Sequence, residues 1–241
     1  MRCISVVLVG LVTVVCTGCA KKQPGGAGQR RLPVLMVALM DETDSFVAPG
    51  LWDPSRDILT SKVLPYLQPG DAFCLIGIDA TPYTMDDIRI PVTPLPEGTL
   101  RAAVARKGLI EKVRKLEPRP GKKGTGTPMT LVMANAAGIL QEEGSRYRPY
   151  LVVFSDMAED PPKRGKPIEG LTEPVVLPPD TQVFCFNVVP LGSKKEFESR
   201  VARWKTTFSL WGAGSEARIY TNANSLTGAA DFAQELKGRS S

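Results

Sequence analysis

Oxygen, not nitrogen, is the donor this chain has to offer. Its 241 residues include five Cys and no His. Without His there is no Ser-His-Asp or Cys-His arrangement, no His general base and no His-ligated metal. Any metal must therefore be held by oxygen or thiolate. Asp41-Glu42-Thr43-Asp44-Ser45, a D-x-T-x-S run, closes the first apolar segment of the body, and Phe154-Ser155-Asp156 closes a later one. A chain still extended past a strand sends every second side chain to the same side. Asp41, Thr43 and Ser45 are thus expected to converge, with Glu42 and Asp44 pointing away as solvated charges. Asp156 would bring a second carboxylate, and Thr127, in Gly124-Thr125-Gly126-Thr127-Pro128, a third hydroxyl. Such a set suits Mg²⁺, Mn²⁺ or Ca²⁺. Plainer roles stay open: Thr127 as an N-cap ahead of Pro128 at the first helical position, and Asp41 and Asp156 as caps of loops at strand ends.

These residues need strands to carry them. Val34 to Met40, Phe73 to Ile78, Tyr150 to Phe154 and Val183 to Val189 are short unbroken apolar runs, as expected of strands buried on both faces. Ala217 to Tyr220 is a weaker fifth. Only nine residues separate Ile78 from Ile88, too few for a crossover helix, so Ile88 to Val92 should pair antiparallel with the preceding strand. Helices are expected at Pro54 to Leu67, Thr99 to Leu116, Pro128 to Glu142, Ser193 to Trp211 and Ser225 to Lys237. In the fourth, Phe197, Val201, Trp204, Phe208 and Trp211 form one apolar stripe by alternating steps of four and three, which marks a core face. Met157 to Asp180, rich in Pro and Gly, reads as a long surface loop. The expected fold class is α/β: a doubly wound, mainly parallel sheet with one antiparallel edge strand and helices on both faces.

In motif and element order, Leu32 to Lys237 resembles the von Willebrand factor A (VWA) family. That family's metal-ion-dependent adhesion site uses an Asp-x-Ser-x-Ser run after the first strand, a Thr in a later loop and an Asp after the fourth strand. The matching positions are Asp41, Thr43 and Ser45, then Thr127, then Asp156; Thr43 stands where Ser is commoner and keeps the hydroxyl. The resemblance implies a bound Mg²⁺, or Mn²⁺ or Ca²⁺, with an open position for an acidic side chain of a partner protein, and no catalysis. It also places Cys74 and Cys185 on strands separated by two others, too far apart for a disulfide, so both are expected as free thiols.

Two other functions stay open. One is a metal-free scaffold of the same fold. The other is a Mg²⁺-dependent phosphohydrolase of haloacid-dehalogenase type, which also places an Asp after its first strand but wants D-x-D, where this chain has Thr43. A P-loop is unsupported, because Gly121-Lys122-Lys123-Gly124-Thr125 lacks the required order. The net charge of +5 is spread along the chain without a stripe of interleaved basic and aromatic residues, so no nucleic-acid partner is expected.

The N-terminus reads as an address. Met1-Arg2 precedes the apolar run Ile4 to Val15, which is too short to span the ~30 Å of bilayer hydrocarbon and has the shape of a secretory signal peptide. Cys16-Thr17-Gly18-Cys19 has C-x-x-C spacing, but within an apolar leader it does not read as a zinc or redox motif. It resembles a bacterial lipobox, with Cys16 where Leu is usual, and the resemblance implies that Cys19 carries lipid as the first mature residue. A cleaved signal ending near Ala20 is the plain alternative. Residues 1–18 are thus expected to be a lipoprotein signal peptide, 19–31 a Gly-rich flexible tether, and 32–241 a VWA-like domain. The domain would be anchored in the bacterial cell envelope outside the cytoplasm, at the outer membrane facing the periplasm, since Ala20 is not the Asp that commonly retains lipoproteins at an inner membrane.

Overall fold

Val34–Asp41 (β1) contains no polar residue before its last position, and all 8 of its residues are buried, so it needs cover on both faces. The computed structural model describes residues 32–79, 87–119, 129–158 and 174–238, all within the unit Arg31–Ser241. After β1 come a short helical turn, Asp44–Val47 (α1), and Trp52–Ile58 (α2). Ala72–Ile78 (β2) and Ile88–Pro94 (β3) lead to the helices Thr99–Arg114 (α3) and Met129–Glu143 (α4). Arg148–Phe154 (β4), Gln182–Val188 (β5), Lys194–Leu210 (α5), Arg218–Thr221 (β6) and Ser225–Gly238 (α6) complete the order.

The six strands form one sheet in the order β3-β2-β1-β4-β5-β6. Every pairing is parallel except β2 with β3, which is antiparallel. This is the doubly wound α/β sheet with one antiparallel edge strand expected from the hydropathy pattern. Strand order reverses between β1 and β4, and in such sheets ligands gather at the carboxyl ends of the strands flanking that point.

Alternation along β1 assigns the layers. Val34, Met36, Ala38 and Met40 pack with residues of α2, α3 and α6, including Trp52, Val113 and Phe232. Leu35, Val37 and Leu39 pack with α4 and α5 through Met133, Leu140, Trp204 and Phe208. The aromatic stripe of α5 is therefore core. A capping box starts that helix: Ser193 Oγ accepts from Glu196 N, and Ser193 N donates to Glu196 Oε2 at 2.7 Å.

The helix expected over Pro54 to Leu67 is broken up. It begins at Trp52, because Pro54 is tolerated in a first turn whose N–H groups have no intrahelical partners. It passes into a π-helical stretch at Leu59–Val63 and a 3₁₀ turn at Leu64–Tyr66. Pro65 is the reason, since it supplies no N–H and its ring crowds the carbonyl one turn back.

Cys74 on β2 and Cys185 on β5 are buried free thiols, with β1 and β4 between them. Burial pushes the Cys74 thiol up to about 12 and raises that of Cys185 as well. Among the described residues no helix is long and apolar enough to cross a membrane.

Candidate functional site

In the β1–β4 register Met40 lies opposite Phe154, so the next residues, Asp41 and Ser155, leave the sheet side by side. Ser155 Oγ donates to Asp41 Oδ2 at 2.6 Å. The other carboxylate oxygen, Oδ1, accepts from Thr43 N at 2.9 Å and from Thr43 Oγ1 at 2.6 Å. Thr43 Oγ1 lies in turn 3.1 Å from Ser45 Oγ. A continuous chain of oxygens thus runs Ser155, Asp41, Thr43, Ser45.

Asp41, Thr43 and Ser45 do converge, but not through an extended chain. Thr43 is the last extended residue, with φ −71° and ψ 155°, and the backbone turns helical at Asp44. Thr43 occupies the N-cap position of α1 yet makes no side-chain capping bond; its hydroxyl and amide both turn back to Asp41, as Asp side chains commonly arrange two residues on. The group opens outward: Asp41 is 0% exposed and Thr43 5%, whereas Ser45 is exposed.

Asp156 follows Ser155 directly and is itself buried. Its Oδ1 accepts from Ala158 N at 2.9 Å. Met157 adopts φ 50°, uncommon for a residue with a side chain, and this tight turn lets Met157 N donate to Ser155 Oγ at 3.0 Å. The Ser155 hydroxyl therefore both accepts and donates.

Burial dominates the electrostatics. It raises the Asp41 carboxyl from 3.8 to about 6, against the hydrogen bonds from Ser155 and Thr43, and the nearby charge of Asp156 pushes in the same direction as burial. Among the described residues no Lys or Arg contributes to Asp41. Among the described residues no group of three or more His, Cys, Asp or Glu gathers anywhere. The site offers two carboxylates, and its other donors are hydroxyls.

Glu42 corrects the expectation of a solvated charge. It does point away from Asp41, but into the protein, where it is 2% exposed. Its Oε1 pairs with Arg89 of β3, and its Oε2 accepts from Arg119 N at 2.7 Å. Burial raises its carboxyl, while Arg119 and Arg89 pull it down. Asp44 is exposed, as expected. Thr127 and Cys19 lie outside the described residues.

Sequence reading missed Ser155 and Glu42 as site residues. Ser155 carried a weak signal, a hydroxyl beside a carboxylate at a strand end, but only the register sets it against Asp41. Glu42 carried none, since its partner is 47 positions away.

No family model and no curated protein matches the sequence. Solved structures do. The pilus adhesin SpaC of Lactobacillus rhamnosus GG superposes with TM-score 0.54 at 9% identity, over 86% of this chain and 31% of that one. Its open conformation gives 0.54 at 10% identity, over 86% and 30%. The von Willebrand factor type A protein of Catenulispora acidiphila gives 0.51 at 12% identity, over 86% and 43%. The fold is VWA-like. At these identities the likeness establishes the fold alone, and this chain spans less than half of each of those chains.

Proposed function

We propose that this chain is a lipid-anchored, extracytoplasmic protein-binding module in which Asp41, Thr43, Ser45 and Asp156, with Thr127, hold a divalent cation, Mg²⁺ or else Mn²⁺ or Ca²⁺. The cation would supply a Lewis-acidic position for an acidic side chain of a partner protein.

One observation carries this reading: among the described residues a fully buried carboxylate, beside a second one, receives hydroxyl and amide donors and no cationic side chain. Two carboxylates in one cleft repel, and a divalent ion removes that repulsion. The donors are hard oxygens, as Mg²⁺ and Mn²⁺ prefer. The 3.1 Å between the Thr43 and Ser45 hydroxyl oxygens also suits neighbouring ligands on an octahedral ion, which at ~2.1 Å bond lengths lie ~3.0 Å apart.

Anchoring rests on the leader and on Cys19 in its lipobox-like setting, with the outer membrane facing the periplasm as the destination. A pilus adhesin of the same fold is in keeping with a binding role. A phosphohydrolase is not favoured, because the assisting acid that such a site wants two residues after Asp41 is here Thr43, whose hydroxyl is turned back onto Asp41 Oδ1.

The test is calorimetric titration of the full-length protein with Mg²⁺ and Mn²⁺, joined to a pull-down from native membranes with and without chelator. Saturable binding and a chelator-sensitive partner are expected. No heat with either ion returns the domain to a metal-free scaffold.

A further inference from the structure

We infer that Glu42, clasped by Arg89, is a positioning residue that sets the geometry of the Asp41-Thr43-Ser45 oxygens without touching their ligand. The inference rests on the metal-binding reading above.

Glu42 is bonded directly to Asp41 and Thr43, so whatever fixes it fixes the path on which both lie. Three neighbours hold it. Its backbone N donates to Ile78 O at the end of β2 at 2.7 Å. Its Oε1 pairs with Arg89 on β3. Its Oε2 accepts from Arg119 N at 2.7 Å, and Arg89 Nη2 closes the clasp by donating to Glu117 O at 2.8 Å. The turn leaving β1 is thereby tied to two other strands and to the segment after α3.

Two features mark this clasp as more than a chance ion pair. The side chains of Glu42 and Arg89 are only 1% and 10% exposed, and buried pairs repay their desolvation poorly, so stability alone is a weak reason to keep one. In some systems such a pair instead specifies one local conformation. The second feature is Gly77, over which the Glu42 carboxylate lies; a Cβ at position 77 would overlap Glu42 Oε1. The middle strand of the clasp has a residue without a side chain where the carboxylate must cross it.

Positioning and plain electrostatics predict opposite signs for one variant. Arg89→Met removes a positive charge and leaves the Glu42 carboxylate without its counter-ion. If the cluster acts only through its field, a cation should bind at least as tightly. If it acts by positioning, the cation should bind more weakly, by about tenfold or more, as when outer partners of metal ligands are removed.

The experiment measures Mn²⁺ affinity of the full-length protein by calorimetry for wild type, Glu42→Gln, Arg89→Met and Arg89→Lys, with melting in EDTA to verify folding. Weaker binding in both Glu42→Gln and Arg89→Met is expected. Arg89→Lys keeps the charge but not the planar fork that reaches both Glu42 and the Glu117 carbonyl, so it should also weaken binding; it decides the matter if Arg89→Met does not fold. Unchanged or tighter binding in a folded Arg89 variant overturns the positioning role while leaving the metal site intact. A wild type that binds no Mn²⁺ overturns the metal reading itself, and this inference with it.

Discussion

Ser155 Oγ donates a 2.6 Å hydrogen bond to Asp41 Oδ2, joining the ends of β1 and β4 across the point where strand order reverses. The bond is wholly buried, both residues being 0% exposed. It secures one oxygen of a carboxylate whose other oxygen is held within its own turn by Thr43.

Ser155→Ala should therefore destabilise the domain by ~1–3 kcal/mol, the usual cost of leaving a buried polar group without its partner. It also strips Met157 N of the acceptor it uses. In urea denaturation at pH 7 the midpoint should fall with an unchanged slope. A midpoint equal to wild type would mean that the bond between the two strand ends does not form.

Asp41 gives a pH dependence whose sign runs against the usual acid-denaturation pattern. Its folded-state carboxyl, at about 6, lies above its ordinary 3.8, so between those values the folded protein holds a proton that the unfolded chain has lost. Stability from this group is then fully present below pH 4 and is lost as pH rises toward 6, by roughly 3 kcal/mol at ~1.4 kcal/mol per unit. In EDTA, Asp41→Asn should remove that downward slope between pH 4 and 6. A wild-type profile that rises across this window after subtraction of the Asn variant would contradict the assignment.

Much of the fold was legible because its strands are unbroken apolar runs that nothing but a two-sided core accommodates. The placement of Asp41 and Asp156 at the ends of neighbouring strands was legible too, since each is the first acidic residue past such a run. What lay beyond reach depended on pairing. Ser155 becomes a site residue only through the register that sets Met40 against Phe154. Glu42 looked like a solvated charge because alternation says which way a side chain points, not whether water or Arg89 waits there. The break in the second helix traces to Pro65, whose effect on the carbonyl one turn earlier was readable but had been absorbed into a longer amphipathic segment.

Cys74 and Cys185 should resist modification in the folded protein. Both are buried and unpaired, and burial holds the Cys74 thiol at about 12, so almost no thiolate exists at pH 8 to attack an alkylating reagent. Iodoacetamide should leave both unmodified under native conditions and label both in guanidinium. A two-hydrogen mass gain on reducing the unfolded monomer would show a bridge instead, and the strand order would need revision.

The proposed anchor predicts a clean change of fraction. Replacing Cys19 with Ser removes the thiol that would carry lipid, and a single remaining apolar leader would not give the multi-chain attachment that holds a protein stably on a bilayer. Cys19→Ser should appear in the soluble fraction with an altered mass. Unchanged mass and continued membrane association would reject lipidation at this residue.

The proposed metal should reveal itself as stability. Asp41 and Asp156 place two carboxylates near one another at the strand ends, and the charge of Asp156 raises the cost of ionising Asp41. A divalent cation bound there would cancel the repulsion and recruit the Thr43 and Ser45 hydroxyls. A ligand that binds only the folded state stabilises it by ~2.7 kcal/mol at a hundredfold excess over its dissociation constant, which corresponds to a rise of about 5–11 °C in melting temperature for a domain of this size. Asp41→Ala should abolish that rise yet remain folded, because it deletes a ligand and one of the two repelling charges together. In EDTA it should melt no more than a few degrees from wild type, since relief of the buried charge offsets part of the lost hydrogen bonding to Thr43 and Ser155. A full metal-dependent shift surviving in Asp41→Ala would move the cation elsewhere on the protein.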